Sequence, residues 1–151
     1  MWSFTALCDE FWVHSRAFFK LDLSPSRESL LHFFERIRQA YPRLMRLRRR
    51  EDGAVMLDEE SEDGRGRRYL RLEPAAMKFG VSGATDGRGV KRYAELVLEQ
   101  APYHLSLSEL DYDYLDVVMV FELEYRGNHE ELEAEALFAG HPLLRAFCDQ
   151  G

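Results

Sequence analysis

The sequence predicts a single α+β domain over residues 1–151, built as an elaborated, ferredoxin-like β-α-β-β-α-β plait. Two long segments, one near each end of the chain, alternate apolar and polar residues with a period of two. Between them, two segments with helical periodicity enclose four short extended segments separated by turn residues. We therefore expect a mostly antiparallel sheet with helices packed on one face.

The first strand is predicted for residues 11–23, where every second residue from Phe11 onward is apolar or small. Ser24 or Ser26 provides an N-cap for the first helix. The apolar stripe of that helix runs from Leu30 to Tyr41, and Pro42 ends it.

Four short strands follow, and turn chemistry separates them. Residues 43–50 and 54–60 meet across Asp52–Gly53, a pair typical of tight hairpins. Residues 67–73 and 77–83 are joined by the turn sequence EPAA. This part of the chain is thus expected to form a meander of hairpins.

The remaining elements alternate helix, strand and helix. The second helix is expected to begin after residues 84–89 and to stop before Pro102. Residues 114–125 form the clearest strand, with Leu115 and each second residue after it on one face. Asn128 is the expected cap of a third helix, with Glu131 at the matching capping-box position.

Composition excludes several classes of protein. The formal net charge of −7 argues against a chain coated by nucleic acid, although a local basic patch remains compatible with it. No segment has the ~20 apolar residues that a membrane helix needs, and the first residues lack a basic leader, so we expect a cytoplasmic protein with no membrane contact. Cys8 and Cys148 have no metal-binding spacing and suit a reducing compartment.

Two stretches begin with the same letters, DGRG, at Asp63 and at Asp86. The first leads into a strand and is interpreted as a hairpin loop. The second leads into a helix, so it is either a structural N-cap at Asp86 or an anion-binding helix start. The candidate anion-binding residues are Gly87, Arg88, Gly89 and Lys91.

Other clusters predict little chemistry. Asp111, Asp113 and Asp116 lack the glycine and distal glutamate of a calcium loop. His129 and Glu133 lack the second histidine of a zinc-binding helix. We expect no metal, no cofactor and no catalytic residue, with a small enzyme at the glycine-rich loop as the alternative.

One face of the predicted sheet carries the best candidate for function. If the helices cover the face with Val13 and Phe79, the opposite face collects aromatic and basic side chains, which are costly to leave in bare solvent. These candidate partner-binding residues are Trp12, His14, Arg16, Phe18, Arg46, Arg48, Tyr69 and Arg71.

Three interpretations of that face compete. Glu122 and Glu124 could pair with Arg16 and Lys20, so that the face neutralises itself. It could be a homodimer or protein interface. It could bind single-stranded nucleic acid or another anionic ligand by stacking and charge. We expect a non-catalytic interaction or ligand-binding protein that uses this face for self-association or partner binding, with the anionic ligand as the alternative.

Overall fold

The computed structural model describes residues 8–60, 67–84 and 86–138. In these ranges the elements follow in the order β1 (Glu10–Phe19), α1 (Arg27–Ala40), β2 (Leu44–Arg49), β3 (Val55–Glu59), β4 (Arg67–Glu73), β5 (Ala76–Ser82), α2 (Gly87–Leu105), β6 (Tyr112–Glu122) and α3 (His129–Phe138). The first DGRG stretch and the terminal segment 141–150 lie outside the described residues.

The strands form one sheet in the order β2-β3-β4-β5-β1-β6, and every neighbouring pair is antiparallel. In the meander β2 to β5, the turn between β2 and β3 contains Gly53, where a φ of 83° favours glycine. The antiparallel sheet confirms the predicted α+β class, and the plait topology stays a prediction. The order leaves β2 and β6 at the two edges of the sheet.

Helices α1 and α2 pack against the same face of the sheet and form the core with it. Alternate residues of β1, from Phe11 to Phe19, point into this core. Phe33 and Ile37 of α1 and Tyr93 of α2 are fully buried there. The Tyr93 hydroxyl donates to the Tyr69 carbonyl, so the polar tip of this buried ring has a partner.

Several predicted boundaries are wrong, and the last strand, predicted for residues 114–125, spans Tyr112–Glu122. Helix α2 does not stop before Pro102 but continues to Leu105, and Ser106 then ends it with a left-handed φ of 55°. Ala101 and Leu105 are buried on either side of the proline, and this packing offsets the single N–H that proline removes. The first strand ends at Phe19 rather than Leu23, because the Leu23 N–H instead donates to Pro74 in a loop.

Among the described residues, no helix has both the length and the apolarity to cross a membrane.

Candidate interaction surface

The face opposite α1 and α2, here called the open face, collects most of the residues that the sequence singled out. The β1 residues Trp12, His14, Arg16 and Phe18 alternate with core residues and are partly buried. Gly80 of β5 lies between His14 of β1 and Tyr69 of β4 in the sheet, and because glycine has no side chain the two rings can meet across it. These residues are therefore neighbours on one face of the sheet.

An aromatic row crosses the open face near β1. Trp12 and His14 meet edge to face, with ring centroids 6.0 Å apart. The Nδ1 of His14 lies 2.7 Å from the Tyr69 hydroxyl. At the other end of β1, Phe18 stacks on Tyr114 of β6 with centroids 4.4 Å apart. These contacts bury part of each ring and form two aromatic groups, which Arg16 separates along β1.

The His14–Tyr69 pair has shifted ionisation. Burial, together with the positive charge of Arg16, lowers the pKa of His14 below its ordinary value. Burial raises the pKa of Tyr69 to about 12, against a smaller opposing effect of Arg16. Near neutral pH both groups are accordingly neutral and share one hydrogen bond.

Arg16 forms a bidentate pair with Asp116, the residue directly opposite it on β6. Its Nε and one terminal nitrogen each donate at 2.8 Å. The interpretation in which Arg16 pairs with Glu122 is wrong, because the register sets Glu122 opposite Glu10, six residues along β1 from Arg16. An acidic residue of β6 does neutralise Arg16, as that interpretation expected, but the residue is Asp116.

Arg46 and Arg48 lie at the far end of the open face, where the structure reveals a cluster that sequence reasoning missed. Asp58 of β3 is fully buried, and its Oδ2 accepts hydrogen bonds at 2.6 Å from Arg48 and from Arg67. Arg46 approaches its Oδ1 at 3.7 Å. The sequence held only a weak signal, namely an acidic pair within an otherwise apolar strand.

Arg71 is also neutralised. It donates to Glu73 at 2.7 Å and contacts Asp52, and Lys78 of β5 pairs with the same Glu73 at 2.8 Å. On the described part of the open face, six cationic side chains thus contact five carboxylates. The face is close to electrically balanced.

Strand β6 is the most exposed apolar element of the sheet. Five large side chains at its centre, on both faces, are 38–58% exposed and are called the β6 strip: Tyr114, Leu115, Val117, Val118 and Met119. The odd-numbered members share a face with the core residues of β1, as the alternation predicted. They are not buried, however, because the two helices that make the core do not extend over this edge.

The second DGRG stretch has the geometry of a helix cap. The Asp86 side chain accepts the Gly89 N–H at 2.8 Å, which occupies one of the donors that an anion would use. Gly87 and Arg88 begin α2, and Lys91 reaches Glu95 one turn on, at 3.5 Å. The four residues lie in the first turns of α2, and no described contact distinguishes them as an anion site.

Asp111, just before β6, and Asp116, within it, have separate partners. Asp111 accepts hydrogen bonds from the backbone and hydroxyl of Ser108, and these bonds lower the pKa of its carboxyl. Asp116 pairs with Arg16. Within the part of the chain that the structure describes, no three histidine, cysteine or carboxylate side chains converge as metal ligands would.

The described chain is thus an α+β protein whose antiparallel sheet is covered by helices on one face and ends in an exposed apolar strand. No protein-family model matches it, and no curated protein matches its sequence.

Proposed function

We infer that this chain is a non-catalytic interaction protein that self-associates through the β6 side of its sheet. The observation that carries this proposal is the β6 strip, which exposes large apolar side chains on both faces of one strand. Scattered apolar residues are normal on a protein surface, but a contiguous group of this kind marks a contact. The aromatic row of the open face adjoins the strip through Phe18 and Tyr114.

Charge favours a protein partner over a nucleic acid. Phosphate backbones are bound by cations that have no competing carboxylate, and the affinity falls steeply with salt. The basic residues of the open face are instead paired, including Arg16 with Asp116 and Arg48 with Asp58. Such pairing leaves aromatic and apolar contact as the main attraction that this region offers.

The other edge of the sheet is a poorer candidate. Strand β2 has six residues and carries Arg46, Arg48 and Arg49, and charged side chains protect an edge strand from association. It does expose Met45, at 67%, to a similar degree as Met119 on β6, at 58%. The two methionines therefore form a matched pair for an experiment.

The test compares Met119→Glu with Met45→Glu by sedimentation velocity over a range of protein concentrations. We expect Met119→Glu to shift the protein towards monomer, because it introduces a charge into the strip, and Met45→Glu to behave as the parent does. A parent protein that stays monomeric at the highest concentration would refute the proposal. Equal effects of the two substitutions would refute the assignment to β6.

A second arm tests the anionic alternative. Fluorescence anisotropy with a labelled single-stranded oligonucleotide should show no binding at physiological salt. Binding that Arg48→Glu plus Arg71→Glu abolishes would favour the nucleic-acid interpretation instead.

A further inference from the structure

The backbone of β6 has one side that no described strand pairs with, and three hydrogen bonds identify which residues face it. Phe19 donates its N–H to Ala75, and the Phe11 carbonyl accepts from Ala84, both on the β5 side of β1. Backbone groups alternate along a strand, so the even-numbered residues of β1 direct theirs to β6. Lys20, whose N–H donates to Asp111 just before β6, agrees with this assignment.

The same alternation then applies to β6. Its even-numbered residues lie opposite the even-numbered residues of β1, as His14 lies opposite Val118. Leu115, Val117 and Met119 therefore direct their N–H and C=O groups away from β1, towards the outer edge. An edge of this kind is a template for another strand.

Strand β6 itself carries few of the devices that usually protect an edge. Its eleven residues include no lysine, arginine, proline or glycine, and the shift in its register with β1 lies between Tyr112 and Tyr114. It carries acidic residues, but Asp116 is neutralised by Arg16. The centre of the strand, residues 114–120, is thus regular and, apart from the neutralised Asp116, apolar.

We propose that β6 pairs antiparallel with β6 of a second copy of this chain, about a two-fold axis through Val117, so that the two sheets become one. This inference rests on the proposed self-association and specifies its geometry. A second copy fits the edge because the three outward-directed residues are symmetric about Val117, so that Leu115 meets Met119 and Val117 meets its own copy.

The register also separates the acidic residues. Leu115 then stands opposite Met119 of the second copy, and Asp116 stands opposite Val118. No carboxylate faces another directly, and like charges in that position destabilise a sheet. An axis through Asp116 would set that residue opposite itself, and an axis through Val118 would set Leu115 opposite Phe121 instead of Met119.

Two proline variants test the pairing. Val117→Pro removes an N–H that points to the outer edge, so the ladder with β1 should survive and the protein should be a folded monomer. Val118→Pro removes an N–H directed to β1, so this variant should also have a lower free energy of unfolding than the parent. Sedimentation velocity and circular dichroism separate these outcomes, and Val117→Lys provides a second edge-blocking variant should the proline disturb folding.

The register has its own test in a background with Cys8→Ala and Cys148→Ala. Val117→Cys should be joined to its symmetry mate by a short bismaleimide, since the two residues face each other. Tyr112→Cys should not be, because the two copies of that position would lie ~33 Å apart at the rise of an antiparallel strand.

The outcomes distinguish the two proposals. A folded Val117→Pro or Val117→Lys protein that remains a dimer overturns edge pairing and leaves self-association through another surface. Crosslinking at Tyr112→Cys and not at Val117→Cys overturns the register. A parent protein that is monomeric at every concentration overturns the proposed function itself.

Discussion

A single buried carboxylate, that of Asp58 on β3, binds arginines from the two neighbouring strands, β2 and β4. Asp58→Asn is therefore expected to destabilise the fold by about 2–4 kcal/mol. The carboxylate is fully buried, and arginines from β2 and β4 donate to one of its oxygens at 2.6 Å. Asparagine keeps the shape of the side chain but removes the charge, and it turns an NH₂ group or a weaker acceptor towards the guanidinium groups.

The magnitude follows from the burial of each partner. Breaking a fully buried ion pair costs about 3–5 kcal/mol, because one charge is left without compensation. Here Arg46, Arg48 and Arg67 keep 35–38% of their side chains exposed, so they regain part of their hydration. The expected loss is therefore somewhat smaller than for a fully buried pair.

Asp52→Asn is the matched control. Asp52 also contacts an arginine of the open face, Arg71, but its side chain is 55% exposed. Exposed pairs of this kind contribute little, so the midpoint of unfolding should hardly move. Both variants have the same change in charge and in side-chain chemistry.

The assay is urea unfolding of parent and variants at one protein concentration, followed by fluorescence and circular dichroism. We expect a lower midpoint for Asp58→Asn with an unchanged m-value. A loss no larger than that of Asp52→Asn, or a gain in stability, would refute the argument that the buried carboxylate holds β2, β3 and β4 together.

Other predictions concern β1 and its neighbours. The pKa of His14 is lowered in the fold, so the contribution of its neutral form to stability is complete above the unfolded pKa of 6.5 and is lost as the pH falls towards the folded pKa. Between about pH 7.5 and pH 5, the free energy of unfolding of the parent should therefore fall more than that of His14→Gln. Equal changes in the two proteins would contradict this prediction. Gly80→Ala would drive a methyl group into the Val13 carbonyl and should cost at least ~2 kcal/mol in urea unfolding. Gly89→Ala meets only Asp86 oxygens, at 3.8 and 3.9 Å, and should stabilise α2 by about 0.5–1 kcal/mol; a loss there of the same size as at Gly80 would contradict the packing described.

Local signals in the sequence predicted the elements well where the physics is local. Asp52–Gly53 predicted its hairpin because the turn needs a residue with positive φ, and Gly53 has it. Asp86 predicted the start of α2 because a carboxylate can accept an amide of the first turn, and it accepts that of Gly89. The prediction that α2 stops before Pro102 was wrong because the burial of Ala101 and Leu105, a tertiary effect, outweighs the one N–H donor that proline lacks.

The candidate surface was predicted only in part, because its contacts join residues far apart in the chain. Period-two alternation sufficed to set Trp12, His14, Arg16 and Phe18 on one face. The partner of Arg16 depends on the register between β1 and β6, which alternation alone leaves open, since any even shift preserves the faces.

The burial of Asp58 depends in the same way on arginines from two other strands. The exposure of the β6 strip depends on how far α1 and α2 extend across the sheet, which no short stretch of sequence encodes.

The most direct test of the account is the mass of the parent protein in solution, measured by sedimentation equilibrium over a wide range of concentrations. Self-association through β6 predicts a concentration-dependent approach to twice the chain mass of 17.7 kDa, and no further growth, because two β6 edges occupy each other. A mass that stays at that of one chain at the highest concentration would contradict the account.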